Sequence, residues 1–221
     1  LLLRWRILQI ADSSFPTGGF AHSSGLEAAV QRGFVRDVAD LADYIDALLW
    51  STGRVMLPFV GAAFDAPDAL RSVGADLDAL LSNHVQKRAS LTQGRAFIAT
   101  CERIFDHPRI AEWAECVRKR EAPAHLAPLF GATFAALELE RVETLGVFLH
   151  YALRGGLSAA VRLGVVGPHE AQRMHGAAIP TLDAVLSACA ATAPDAAANT
   201  APIWDIVAAT HDELYARMFQ S

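Results

Sequence analysis

Cysteine is scarce and scattered: Cys101, Cys116 and Cys189 are the three in 221 residues, odd in number and never in a CxxC or CxxxH spacing. That leaves no disulfide framework and no structural zinc pattern, and a reducing compartment fits best. Charge is thin too. With 19 basic and 24 acidic residues, a net charge of -5 and a pI near 5.9, the chain lacks the basic face by which a nucleic-acid-binding domain is recognised. Lys87-Arg88 and Arg118-Lys119-Arg120 are short groups that a solvated helix face accounts for. Long apolar runs are missing as well. Even the richest stretch, Ala177–Ala193, is broken by Pro180 and Asp183, so no membrane span is expected. Arg4 and Arg6 interrupt the first apolar stretch, unlike the core of a signal peptide.

What is present is apolar and helical. Hydrophobic residues make up 52% of the chain, charged residues only 19%, and the mean hydropathy is +0.25. Alanine supplies much of this, yet apolar surface beyond what one core can hold tends to end in subunit or partner interfaces. The length supports one domain with a sizeable core. In Leu41–Met56 the residues Leu41, Tyr44, Ile45, Leu48, Leu49, Val55 and Met56 fall on one helical stripe. A second long helix is predicted from Asp76 to Phe105, with Gly94 as its weak point and Pro108 beyond its end. Shorter helices follow over Ile110–Arg120 and from near Pro128. A long one is predicted from Glu138 to Leu163, kinked or divided at Gly155-Gly156, and helix resumes after the Gly167-Pro168 turn. No period-2 strand pattern occurs. The predicted fold class is all-α, a single-domain bundle of roughly eight to ten helices.

Two segments interrupt the pattern. Residues 190–202 are small, proline-bearing and poor in large apolar groups, which marks a linker between a helical core of residues 1–189 and a C-terminal unit, Ile203–Ser221. That unit is amphipathic and rich in aromatics: Trp204, Tyr215 and Phe219. It reads as a tethered helix that docks either on its own domain or in a partner's groove.

Residues with possible chemistry are few. The glycines of Asp12–Glu27 could cradle a phosphate, but GxxxxGK[ST] is missing and no lysine follows. Ala21-His22-Ser23-Ser24-Gly25 imitates a nucleophile elbow with Ser23 as nucleophile, although no strand precedes it. Of eight histidines, His169 and His175 are six apart and diverge on a helix, and His22, His84, His107, His125, His150 and His211 are isolated in sequence. No metal ligand set or cofactor motif is therefore assigned.

Several segments together resemble the urease accessory protein F family. Leu8–Glu27, reading LQIADSSFPTGGFAHSSGLE, is similar to that family's N-terminal signature. Pro128-Leu129-Phe130-Gly131, then Ser158–Leu163 followed by Gln172, and the closing His211–Ser221 fall in family order. Many bacterial members carry Ile-Pro-Leu-Gly-Gln after the arginine–leucine pair, where this chain has Gly164-Val165-Val166-Gly167-Pro168.

The resemblance implies a cytoplasmic, non-enzymatic chaperone of nickel-enzyme maturation. It implies a homodimer that binds a second accessory protein, called D or H, recruits the GTPase accessory protein G, and assists nickel insertion into apo-urease. Control of GTP hydrolysis and a nickel path through the D–F complex belong to the same implication. The residues expected to meet the D/H partner are Trp204, Leu214, Tyr215, Met218 and Phe219, with Arg217 at the rim. Arg162 is a candidate for the GTPase-facing surface, against its simpler role near a helix end. Two other functions stand beside this one: a nickel-binding carrier whose histidines assemble across a dimer, and a serine hydrolase using Ser23.

Overall fold

The computed structural model describes residues 2–221, with side chains from Trp5 onward. The chain opens with α1 (Leu2–Ala11), α2 (Leu26–Gln31), α3 (Val38–Ser51), α4 (Leu57–Asp65) and α5 (Leu70–Leu80). Then come α6 (His84–Ile104), α7 (Pro108–Arg118), α8 (Leu126–Ala136) and α9 (Arg141–Arg162). The last are α10 (Pro168–Ala177), α11 (Ile179–Cys189) and α12 (Pro202–Ala209). No strand occurs among the described residues, and the all-α expectation holds. The segments outnumber the expected helices partly because one π-helical turn, Thr52–Met56, joins α3 to α4 into a single rod, Val38–Asp65.

That rod is long and apolar enough to cross a membrane, but its apolar surface is used inside the fold. Leu41, Tyr44, Ile45, Leu49 and Val55 of the predicted stripe are buried, with Leu48 and Met56 packed at the margin. α4 lies on α8 so closely that a Cβ on Gly131 would stand 2.0 Å from the Val60 carbonyl oxygen. Just before α8, a Cβ on Gly94 of α6 would stand 1.9 Å from the Ala124 carbonyl oxygen. Glycine permits both approaches. Phe130 fills the space between, stacked on Phe134 at 4.2 Å and Phe97 at 5.3 Å, with Phe148 and Tyr151 of α9 edge-on.

Four features differ from the sequence pattern. The helix predicted over Asp76–Phe105 is two, α5 and α6, because Asn83 accepts hydrogen bonds from the amides of Val85 and Gln86 and starts a new helix. Gly94 does not weaken α6, being locked against Ala124. Gly155-Gly156 does not divide α9; Gly156 seats Ile45 and Leu48 of α3. The C-terminal helix stops at Ala209, passes through a 3-10 turn at Thr210–Glu213, and continues as a non-helical tail to Ser221. The stretch before it is tacked to the body by a hydrogen bond of 3.3 Å that the Ala198 amide donates to the Arg54 carbonyl.

Candidate functional site

The glycine-rich segment between α1 and α2 is shaped by local hydrogen bonds. The Asp12 carboxylate accepts from the amide and hydroxyl of Ser14, which holds its carboxyl below the usual carboxylate range. Gly18 and Gly25 then take left-handed backbone, with φ of 74° and 93°. Gly25 is also a point of close approach: a Cβ there would meet Ala208 of α12 at 2.7 Å. Three amides of the segment are spent within the fold, Ala21 on the Gly18 carbonyl, His22 on that of Gly19, and Ser23 on that of Ser221.

The C-terminal tail closes over this segment as a clasp. The Gln220 amide donates to the Ala21 carbonyl (2.8 Å) and the Ser23 amide to the Ser221 carbonyl (2.6 Å). At its centre is Glu27, only 1% exposed on α2. Its carboxylate accepts from the Met218 amide (2.6 Å), the Phe219 amide (3.1 Å) and Nε2 of fully buried His211 (2.9 Å). Gln31 donates to the Ala216 carbonyl at 2.9 Å. A buried carboxylate is tolerated only when its lone pairs are filled in this way. On the far side Arg162 lies between the rings of Phe20 and Phe219, 3.8 and 4.2 Å from their centres, and donates to the Phe20 carbonyl.

Around the clasp, Asp212 pairs with Arg88 (2.7 Å), His84 (3.2 Å) and Arg217 (3.3 Å), and the Arg88 hydrogen bond brings its pKa down to about 2. His22 Nδ1 lies 2.5 Å from the Ser221 hydroxyl, while its Nε2 is buried without a protein partner. Burial first, then the positive charges of Arg88 and His211, lower the His22 pKa.

The residues singled out in the tail fall into two groups. Trp204 stands edge-on to Tyr44 (5.0 Å) and Phe34 (6.4 Å), Leu214 packs against the core, and Phe219 is buried. These face their own chain. Tyr215 is fully exposed, Met218 is 54% exposed, and Arg217 is exposed on the ion-pair cluster. Ile203 and Ile206 of α12 add apolar surface at 65% and 67% exposure. Arg162 serves the clasp. The sequence reading missed Glu27, His211, His22 and Gln31; a lone carboxylate inside the apolar run Leu26–Val30 was the available signal.

Ser23 is fully buried. Its hydroxyl donates to the Ser221 carbonyl (3.0 Å) and accepts from the Glu27 amide (3.3 Å), with no histidine bonded to it. It is a structural cap, and the hydrolase reading has neither an accessible nucleophile nor a base. The fold does bring His150 and His175 together, ring centres 5.5 Å apart. Among the described residues no group of three or more His, Cys, Asp or Glu side chains is placed to hold a metal ion.

The family model described as UreF matches residues 35–179. Urease accessory protein F of Arabidopsis thaliana is 35% identical over 224 residues, covering 99% of this chain and 93% of the relative. That of Oryza sativa subsp. indica is 30% identical, covering 97% and 84%. Urease accessory protein UreF of Rhodopseudomonas palustris is 30% identical, covering 98% and 92%. With similarity running the whole length of the chain, it belongs to the urease accessory protein F family, whose members are accessory proteins of urease and not enzymes.

Proposed function

We propose that the chain is a scaffold of urease maturation that docks the D/H accessory protein through its clasped C-terminal tail. In this reading it works in the cytoplasm as a homodimer, recruits the GTPase accessory protein G, and assists nickel insertion into apo-urease while timing GTP hydrolysis. One observation carries it: a tail anchored by a buried carboxylate presents Tyr215 and Met218 to solvent. Fixing a segment before binding lowers the ordering cost of association, and an exposed tyrosine with an apolar neighbour is the composition of an interface hot spot.

The roles of the tail residues then divide. Tyr215 and Met218 insert into the partner and Arg217 makes a rim contact. Trp204, Leu214, Phe219 and Arg162 hold the tail in place. Replacing Tyr215 and Met218 together by alanine is expected to weaken D/H binding at least about tenfold, read by pull-down or calorimetry, with unchanged circular dichroism. A double variant that binds like the wild type refutes the assignment.

The nickel-carrier reading keeps one specific support, the meeting of His150 and His175. A second copy would have to complete that pair. Equilibrium dialysis with nickel, repeated on His150→Ala, decides it: retention of one ion per dimer that disappears in the variant favours a carrier, and no retention removes it.

A further inference from the structure

Between α6, α9 and the glycine-rich segment lies a cavity of about 340 Å³, within the range that encloses a small organic molecule. Tyr151, Arg154, Gly155, Ser158 and Arg162 line it along one face of α9. Their spacing of i, i+3, i+4, i+7 and i+11 covers ~16 Å at the helical rise per residue. Gly155 leaves the space open, since a Cβ there would meet nothing within 4 Å. Other walls are mixed: Phe15, Leu48, Met56 and Phe148 supply apolar surface, and His22, Ser90 and Gln93 supply neutral polar groups.

The charge of this lining is unlike that of the chain. Acidic residues outnumber basic ones by 24 to 19 overall, yet the lining holds no aspartate or glutamate and two arginines. A divalent cation would find no anionic ligand there, and an anion would find a positive potential in low-dielectric surroundings. Arg162 is occupied by the clasp. Arg154 stacks on Tyr151 at 4.7 Å and donates one N–H to the Ala11 carbonyl, which leaves donors free on a group that carries five. The carboxylate of Asp12 acts on Arg154 from outside the lining and is itself bonded to Ser14.

We propose that this cavity binds one molecule of an amphiphilic carboxylate. Its head group sits on Arg154, and an apolar chain of about eight to twelve carbons lies along Phe15, Leu48, Met56 and Phe148. Such a ligand matches the length of the α9 face and a lining that offers arginine donors, apolar surface and no carboxylate.

Calorimetric titration of the full chain with decanoate, and separately with decanol, tests it. Decanoate is expected to saturate at one per chain and to bind at least about tenfold more tightly than decanol, the worth of one charge-assisted hydrogen bond. Arg154→Leu should bring decanoate down to the level of decanol. Gly155→Met, which projects into the open space and favours helix, should weaken decanoate at least about tenfold while the melting temperature holds or rises. If that variant misfolds, Ser158→Leu fills the same cavity from the next turn. Absence of saturable decanoate binding, equal affinity for acid and alcohol in the wild type, or a filled cavity that still binds decanoate normally would each overturn the proposal.

Discussion

At the crossing of α4 with α8 the backbones themselves meet, with Gly131 against the Val60 carbonyl and a stack of phenylalanines beside them. At the clasp, the tail reaches α2 and the glycine-rich segment mainly through hydrogen bonds, three of them converging on the Glu27 carboxylate. The two junctions differ in how they fail. Close-packed backbone has no slack, so one added methyl forces helices apart. Hydrogen bonds exchange with water at a net worth of about 1 kcal/mol each, so a junction built from them opens locally, well below the free energy of global unfolding. The body therefore keeps its shape while the tail is the part that can open.

The largest expected effect tests the rigid junction. Gly131→Ala places its methyl about where the Val60 oxygen is, and neither atom belongs to a flexible side chain. Thermal melts followed by circular dichroism are expected to show a loss of about 3 kcal/mol or more, as one cooperative transition. A loss under about 1 kcal/mol would mean that α4 and α8 slide freely, and the contrast would collapse.

The second tests the clasp. Glu27→Gln removes the charge and turns an amide nitrogen towards donors that need an acceptor. The expected loss is about 2–3 kcal/mol, confined to the tail. Amide exchange at Met218, Phe219 and Gln220 should accelerate by about thirty- to a hundredfold, while amides in α8 keep their protection. Parallel acceleration in α8 would show that the clasp and the core are one cooperative unit.

A smaller effect follows from His22. Its pKa is lowered on folding by burial and by Arg88 and His211. The unfolded chain therefore takes up the proton first, near pH 6.5, so the stabilisation is complete above that value and is lost as pH falls towards the folded pKa. Tail amides are expected to lose protection as the pH falls below about 6.5, by less than Glu27→Gln causes, and His22→Gln should remove that dependence.

The same contrast explains what could be read from the sequence. The core was legible because its signal is periodic: the Leu41–Met56 stripe and the α9 pattern need only a 3.6-residue repeat. Boundaries were less so. Asn83 ends one helix and begins another through a side-chain bond that periodicity does not register. The tail was legible in composition and not in conformation. Its aromatics marked a distinct unit, but the contact that holds the tail on α2 pairs His211 with a carboxylate 184 positions away, which no local pattern carries. For the same reason Ser23 resembles a nucleophile in one dimension and is a buried cap in three.

The smallest effect separates the buried heart of the clasp from its exposed edge. Arg88 and Asp212 form a short, two-pronged ion pair, and Asp212 is held at a pKa of about 2, which by itself suggests a strong bond. Their side chains are 45% and 33% exposed, however, so water and salt screen most of that attraction. Arg88→Ala is expected to cost under about 1 kcal/mol at neutral pH. Because the folded pKa of Asp212 lies below its unfolded value, its contribution is present above about pH 4 and disappears only on acidification towards pH 2. Salt provides the decisive comparison. At about 0.5 M NaCl the screening length is only a few ångströms, so the effect of Arg88→Ala on tail-amide exchange should fade, whereas that of Glu27→Gln should persist. If both fade together, the Glu27 site is wet, and the clasp is a surface charge cluster instead of a buried lock.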